Sequence, residues 1–230
     1  YLFGDNVYLN FRYNIFRRNK SCTLGDGGAL YAEDGSLVSS VGDLYESNQA
    51  TQGSGGGLYV SGLADVACSS CVLKNNTAYL HGGALYTESW KVSLTDDSVV
   101  MNNVAEMGDG GGLYSSSSAN LTLADVSFDQ NQALDLNEAG TFGRGGAIGC
   151  IGGENVSLSF FNLSLTMNEG INGGGIFVGA GSIFSLRNSS LLLNSAKYSG
   201  GGIYGNVSRS LIVENCVISS NKAKLMDGGG

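Results

Sequence analysis

The sequence contains no proline and only one histidine among its 230 residues. Proline removes a backbone donor and is excluded from central β-strands, so its absence suits a chain whose segments are hydrogen-bonded on both sides. No run of 18 apolar residues occurs, which excludes a transmembrane helix. No window keeps a 3.6-residue apolar period, so we expect few helices.

Basic residues are also scarce, since 12 Lys and Arg face 20 Asp and Glu and the net charge is −8. Nucleic-acid binding needs a basic surface and is therefore disfavoured. The basic cluster of Arg12, Arg17, Arg18 and Lys20 is interpreted as a solvated rim. None of the 230 residues form a signal-peptide pattern, and Gly228, Gly229 and Gly230 begin a further copy of the glycine motif described below. We expect residues 1–230 to form a single domain within a longer chain.

Glycine is abundant, with 37 residues where the usual share is about 7%. Many glycines belong to the motif Gly-Gly-(Ala/Gly)-(Leu/Ile)-(Tyr/Phe), and the spacings between its copies are 28, 27, 28, 35, 28 and 27 residues. The apolar residue of each copy is Leu30, Leu58, Leu85, Leu113, Ile148, Ile176 and Ile203. We assign the one long step to an insertion around Gln132–Arg144.

A second motif, apolar-x-x-Asn, runs in phase with the first. Its asparagines are Asn19, Asn48, Asn76, Asn103, Asn131, Asn168, Asn194 and Asn221. Apolar residues 10, 8, 5 and 3 positions before the asparagine alternate as in short strands with one buried face, interrupted by a corner. A buried amide must be hydrogen-bonded, so we expect these asparagines to form a stacked ladder rather than a ligand site.

A unit of 27–28 residues with short strands cannot bury its apolar side alone, whereas stacked copies bury a continuous core. The sequence therefore predicts an all-β, single-stranded parallel β-helix. We expect about eight rungs, one of which carries the insertion near 132–144. Gly-Gly pairs suit a sharp corner that recurs once in every rung.

The GGA(I/L/V) and Phe-x-x-Asn motifs resemble the repeats of chlamydial polymorphic outer membrane proteins and of related right-handed β-helix families. The resemblance covers nearly the whole chain and implies a right-handed coil at the cell surface with an adhesive or structural role. Phe is often replaced here by Tyr, Leu, Val or Ile. Similar repeats occur in large secreted proteins of microbial eukaryotes, so a bacterial origin does not follow.

Seven Asn-x-Ser/Thr sequons occur, which is more than chance predicts. Asn19 belongs to the ladder, so we expect it to be buried and unmodified. The glycosylation candidates are Asn75, Asn120, Asn155, Asn162, Asn188 and Asn206. We place Asn162 and Asn188 on an outward corner, because both lie six residues before a ladder asparagine.

The five cysteines are too widely spaced for most pairings, because turns about 4.8 Å apart restrict a disulfide to the same or adjacent turns. Only Cys68 and Cys71 could pair. Both occupy inward positions and no second Cys-x-x-Cys exists, so small core residues or a local bridge are favoured over a redox or metal site.

An aromatic residue follows the core Leu or Ile in most units. The row consists of Tyr31, Tyr59, Tyr86, Tyr114, Phe177 and Tyr204, and Gly149 interrupts it. These rings should point outward and stack between turns. The alternative is a docking face for glycans or for a neighbouring subunit. The insertion is the candidate loop for specific recognition.

The function predicted from the sequence is an extracellular or cell-surface structural or adhesive rod, or a filament subunit, without catalysis or a cofactor in this segment. Expected partners are copies of itself, other surface proteins or glycans. The alternative is a carbohydrate-binding or polysaccharide-degrading β-helix, which needs acidic residues aligned on neighbouring turns. Asp96 and Asp97 are interpreted as an isolated pair in a solvated turn, and neither a Gly-His-Gly nor an Arg-x-Lys element occurs.

Overall fold

The structure is a computed structural model that describes residues 7–22, 25–89, 91–116, 120–136, 142–153, 156–206, 209–226 and 228–229. Within these ranges the chain forms β-strands and no helix. All strand pairs are parallel and join a residue to its equivalent in the next repeat. The predicted parallel β-solenoid is confirmed, with about seven turns. The right-handed sense of the coil remains a prediction.

Each turn contributes one strand to a seven-stranded sheet, which we call the aromatic sheet. These strands begin at the Leu or Ile of the Gly-Gly motif. They are Leu30–Ala32, Leu58–Val60, Leu85–Thr87, Leu113–Ser115, Ile148–Cys150, Ile176–Val178 and Ile203–Gly205.

An eight-stranded sheet begins directly after the ladder asparagines, and we call it the ladder sheet. Its strands have only two residues each. They are Lys20–Ser21, Gln49–Ala50, Thr77–Ala78, Val104–Ala105, Gln132–Ala133, Glu169–Gly170, Ser195–Ala196 and Lys222–Ala223.

The third sheet has 14 strands and turns a corner in its middle, so we call it the bent sheet. Its first half contains Tyr8–Arg12, Leu37–Val41, Asp65–Ser69, Lys91–Thr95, Ile183–Arg187 and Ser210–Glu214. Its second half contains Ile15–Arg17, Leu44–Glu46, Val72–Lys74, Ser98–Met101, Ser190–Leu192 and Val217–Ser219. Asn120–Asp129 and Ser157–Thr166 run through both halves.

The core lies between the three sheets and consists of rows of equivalent side chains. Leu85 is in register with Leu58 on one side and with Leu113 on the other, which confirms the stacking predicted from the motif spacing. Leu58, Leu85 and Leu113 are buried. The bent sheet also buries large aromatic side chains, whose burial contributes strongly to the hydrophobic free energy. They are Tyr45, Phe128, Phe160 and Phe184.

Three corners with positive φ separate the strands of each turn. The first corner, in the middle of the bent sheet, is formed by Tyr13, Gly42, Ser70, Asp97, Asp125, Asn162, Asn188 and Asn215. The second corner directly precedes each ladder asparagine. It is formed by Arg18, Ser47, Asn75, Asn102, Gln130, Met167, Leu193 and Ser220.

Glycine is required at the third corner, which precedes the aromatic sheet. Gly55 has a φ of +68°, and a Cβ there would lie 2.2 Å from the carbonyl oxygen of Leu58. At Gly56 a Cβ would lie 2.2 Å from the carbonyl oxygen of Gly83 in the next turn. The Gly-Gly pair therefore serves two purposes, because its first residue supplies the turn and its second allows close stacking.

We expect Leu193→Gly to stabilise the protein by about 0.5–1 kcal/mol. Leu193 has a φ of +59° and an exposed side chain, and the left-handed region costs a residue with a Cβ about 1–2 kcal/mol. Glycine removes this strain but adds entropy to the unfolded chain, so only part of it is recovered. Chemical denaturation measures the difference. Leu192→Gly, in the adjacent strand, is the control and should be destabilising.

The structure narrows the insertion that was predicted near 132–144. Gln132 and Ala133 form a regular strand that pairs with Val104 and Ala105. Arg144 forms a β-bridge with Asn172 of the next turn. The extra residues therefore lie within 134–143, and residues 137–141 of that segment lie outside the described ranges. The spacing of the motifs gives the number of extra residues but not their position. Their position depends on which residues on either side pair with the neighbouring turns.

Candidate functional site

The eight ladder asparagines form one continuous hydrogen-bonded column along the axis. In the middle of it, the Asn103 Nδ2 donates to Asn131 Oδ1 at 2.9 Å and to the Leu73 carbonyl of the preceding turn at 2.9 Å. Its Oδ1 accepts from the Nδ2 and the backbone N–H of Asn76 at 3.0 and 2.9 Å. These groups satisfy one another within the protein, which leaves the buried part of the ladder without polar atoms for a ligand.

Asn19 is an exception to the burial expected of the ladder. Its Nδ2 donates to Asn48 Oδ1 at 2.9 Å, as in the other turns, but the residue is exposed. The ladder is covered by the turns on both sides of it, and Asn19 lies in the first turn that the structure describes. The expectation that Asn19 is buried is therefore wrong.

The aromatic row of Tyr31, Tyr59, Tyr86 and Tyr114 consists of parallel stacked rings. The centroid separations are 4.9, 4.7 and 5.3 Å, and neighbouring ring planes are 4–15° apart. Phe177 and Tyr204 stack in the same way at 5.6 Å. Because each inner ring covers its neighbours' faces, a sugar can reach mainly ring edges. This geometry favours cross-turn stacking over a glycan platform.

Several of these rings are less accessible than the predicted contact face requires. Tyr114 and Phe177 are buried, at 5% and 6% exposure, whereas Tyr204 is exposed at 36%. The hydroxyls of Tyr59 and Tyr86 both donate to the Glu88 carboxylate at 3.2 Å. Burial, followed by the charge of Glu88, raises the pKa of both tyrosines. Glu88 thus binds the outer ends of two neighbouring rings together.

Arg144 occupies the place where Gly149 interrupts the aromatic row. Its guanidinium lies 4.8 Å from the centroid of the Phe177 ring, a cation–π distance. The same group pairs with Asp109, with 2.6 Å between Nη2 and Oδ2, and the Asp109 side chain is fully buried. The backbone N–H of Arg144 also donates to Asp109 Oδ1 at 2.8 Å. Sequence reasoning missed this pair because the two residues belong to different turns.

His81 lies beside this pair, with its ring stacked on Tyr114 at 4.5 Å. The backbone N–H of Asp109 donates to His81 Nδ1 at 3.0 Å, so the neutral imidazole acts as an acceptor there. Burial lowers the pKa of His81, and the charge of Arg144 lowers it further, while Asp109 opposes them. The folded protein therefore resists protonation of this histidine.

We expect the free energy of unfolding to fall as the pH is lowered through about 6.5, the ordinary histidine pKa. His81 has a lowered pKa in the folded state, so the unfolded state takes up the proton first, and stability is complete only above the unfolded pKa. His81 is the only histidine, and its replacement in H81N leaves an acceptor near the Nδ1 position. Denaturation at pH 7.5 and 5.5 should show a larger loss for the parent chain than for H81N, and equal losses would contradict the assignment.

The cysteine pair is not a disulfide, so the bridged alternative is wrong for this structure. Cys68 and Cys71 are both free and buried, one on each side of Ser70, whose φ is +53°. The Cys71 Sγ lies 3.3 Å from the Ser40 hydroxyl. The hydrogen bond to Cys71, together with burial, raises the pKa of the Cys68 thiol. Both side chains therefore serve as small core residues.

The sequon asparagines lie at the surface wherever the structure describes them. Asn75, Asn162, Asn188 and Asn206 are exposed, and Asn120 is half-buried. Asn155 lies outside the described residues. Asn162 and Asn188 occupy the first corner, as predicted from their common offset from the ladder.

The first corner also contains a concavity with a volume of about 490 Å³. It crosses five successive turns, and we call it the corner groove. One wall is the row Asp97, Asp125, Asn162, Asn188 and Asn215, and the outward residues Val99, Ser127, Ser164, Ser190 and Val217 form its floor. Strand register stacks Ser98 on Val126 and Val126 on Leu163, which brings Asp97, Asp125 and Asn162 next to one another.

The view that Asp96 and Asp97 stand alone is therefore wrong. Asp97 is stacked on Asp125, which in turn accepts a hydrogen bond from Asn162 Nδ2 at 2.6 Å. All five wall residues lie six positions before a ladder asparagine, an offset that was recognised only for Asn162 and Asn188. That offset, applied to every turn, was the signal that could have found the groove.

Comparison with protein families gives a match in the turn that contains Cys71, Asn76 and Leu85. Residues 70–88 match the Chlamydia polymorphic membrane protein repeat. This short segment includes one ladder asparagine, one Gly-Gly corner and one stacked tyrosine. Polymorphic membrane protein repeats are typical of surface-exposed, autotransporter-like adhesins.

Neighbouring turns pair in register with the turn that contains residues 70–88, so the matched segment is part of the continuous stack. No curated protein sequence and no solved structure is significantly similar to the chain. Within the described ranges, no three His, Cys, Asp or Glu side chains are grouped so that they could bind a metal ion. The same ranges contain no helix that could cross a membrane.

Proposed function

We propose that the chain is the rod of an extracellular or cell-surface adhesin and that this segment has no catalytic role. The observation that carries the proposal is the unbroken column of eight asparagines, which requires every turn to lie on the one before it. A stiff array of this kind holds a recognition surface away from the membrane. The polymorphic membrane protein repeat at residues 70–88 supports the same function.

The partners proposed for this rod are other surface proteins, glycans or further copies of the chain. A net charge of −8 opposes binding to nucleic acid and to other acidic polymers. Filament formation needs contacts between rods in addition to contacts within them. It is distinguished from a lone rod by the length of the particles seen in electron micrographs.

Adhesion is tested with fluorescent beads that carry the folded chain through a terminal tag. We expect saturable attachment to cultured cells or to an immobilised panel of matrix proteins and glycans, and competition by the soluble chain. Beads carrying Asn103→Leu, whose ladder is interrupted, are the matched control. Attachment no greater than that of albumin-coated beads on every surface would contradict the proposal. Release of reducing ends from a panel of polysaccharides would contradict the absence of catalysis.

We further propose that the chain is glycosylated when it is made in a eukaryotic secretory pathway. Asn75 and Asn206 are exposed sequon residues outside the corner groove. Intact mass should fall after treatment with an N-glycosidase, and the loss should shrink in the double variant N75Q/N206Q. An unchanged mass after the treatment would refute glycosylation.

A further inference from the structure

The wall of the corner groove consists entirely of Asn and Asp, although the backbone conformation there does not require these residue types. Positive φ favours Asn and Asp, which could by itself explain the row. The second corner has equally positive φ values but contains Arg18, Gln130, Met167 and Leu193. The backbone alone therefore does not select five consecutive Asx residues. Their side chains supply a row of carbonyl, carboxylate and amide groups that faces the same concavity.

Part of this row has unused hydrogen-bonding capacity. Among the described residues, the side-chain amides of Asn188 and Asn215 have no hydrogen-bond partner, and both residues are exposed. The hydroxyls of Ser127, Ser164 and Ser190 line the floor beside them. The wall and floor together offer donors and acceptors once per turn, at intervals of about 4.8 Å.

The charge of the groove limits the kind of ligand that it can bind. Its lining contains the carboxylates of Asp97 and Asp125 and no Lys, Arg or His. Arg187, beside Asn188 in the chain, is paired with Glu214 at 2.9 Å. An anionic polymer would meet repulsion without a compensating cation, so uronate-rich and sulfated glycans are disfavoured. A neutral chain of hydroxyl groups can donate to the carboxylates and accept from the amides.

We propose that the corner groove binds a linear neutral glycan that lies parallel to the solenoid axis. The groove spans four intervals of about 4.8 Å, or about 19 Å. An extended β-1,4-linked glycan advances by roughly one such interval per sugar, so successive sugars would meet equivalent wall residues. This inference rests on the proposed adhesive function and identifies the class of ligand that the rod recognises.

Glycan binding and N-glycosylation compete for this groove. Asn162 and Asn188 are sequon residues and also wall residues, so a glycan attached to either would occupy the space of the ligand. The binding experiment therefore uses the chain produced in a host that lacks N-glycosylation.

Isothermal titration with neutral β-1,4-linked hexasaccharides of glucose, N-acetylglucosamine, mannose and xylose tests the proposal. We expect saturable binding to at least one of them and no binding to hexagalacturonate. The double variant N188G/N215G keeps the backbone conformation and removes two amides, so Kd should rise about tenfold. Asn75→Gly, at the second corner with a φ of +55°, is the matched control and should leave Kd unchanged.

The inference is overturned if no neutral hexasaccharide binds, if hexagalacturonate binds equally well, or if N188G/N215G binds like the parent chain while its unfolding midpoint shows that it is folded. Bead attachment separates this inference from the adhesive function. Attachment that persists without hexasaccharide binding leaves the adhesin proposal standing and removes the groove as its site. Hexasaccharide binding without bead attachment would support the groove as a glycan site and contradict the adhesin proposal.

Discussion

Asn103→Leu should lower the free energy of unfolding by about 3–6 kcal/mol. The substitution removes both hydrogen bonds donated by the Asn103 amide and both accepted by its Oδ1. It leaves the Asn76 N–H and one Asn76 amide hydrogen without partners in a buried site, and it removes one hydrogen bond from the Leu73 carbonyl. Each orphaned group costs about 1–3 kcal/mol. Leucine has the same number and branching of side-chain heavy atoms as asparagine, so the substitution leaves no cavity.

Chemical denaturation followed by circular dichroism measures this loss. Asn75→Gly is the control, because Asn75 directly precedes a ladder asparagine but is exposed, and glycine keeps its positive φ. It should change stability by no more than about 0.5 kcal/mol. A loss below about 1 kcal/mol for Asn103→Leu would mean that the ladder only follows the stacking of the turns and does not stabilise it.

The ladder and the core rows could be predicted from the sequence because every turn repeats the same local requirement. Leu58, Leu85 and Leu113 have near-equal spacing, and a parallel stack converts equal spacing into contact. The Gly-Gly pair likewise reports a corner that only glycine fits. Periodicity is informative wherever the neighbour of a residue is its own equivalent in the next turn.

Features that depend on an irregular turn could not be predicted in this way. Arg144 meets Asp109 across the 35-residue step, and the length of that step does not reveal which of its residues return to the stack. Asp43 is a second example, since its buried carboxylate accepts from the Asn14 backbone N–H at 2.6 Å and from the Ser40 hydroxyl at 2.5 Å. In other turns Cys71 or Ser98 fills the same position, so no repeated residue type marks it.

The corner groove is an intermediate case. Its wall residues share one offset from the ladder, so their alignment was available from the sequence. The concave shape of the corner could not be predicted from the sequence. Strand patterns indicate which side chains point inward, but they do not give the angle between the two halves of a sheet. The structure adds this angle, and with it a surface that five turns build together.

Arg144→Met should lower the free energy of unfolding by about 3–5 kcal/mol at neutral pH. The Asp109 carboxylate is fully buried, and its guanidinium partner approaches to 2.6 Å and 3.1 Å at Oδ2 and Oδ1. Without that partner a charge remains buried and uncompensated, which is more costly than the loss of the pair as a whole. The Gly110 amide donates to the Arg144 carbonyl at 2.9 Å. Its hydrogen exchange should therefore be faster in Arg144→Met than in the parent chain.

Two further variants separate burial of the charge from loss of packing. The double variant D109N/R144M removes both charges and should recover part of the loss, because the remaining amide needs less solvation than a carboxylate. Arg187→Met breaks an ion pair with Glu214 in which the Arg187 side chain is 47% exposed and the Glu214 side chain 55%. It should lower the free energy of unfolding by at most about 0.5 kcal/mol. Equal losses for Arg144→Met and Arg187→Met would mean that Asp109 is hydrated in the folded protein. The turn after the insertion would then be held by its backbone pairing with Asn172 rather than by this ion pair.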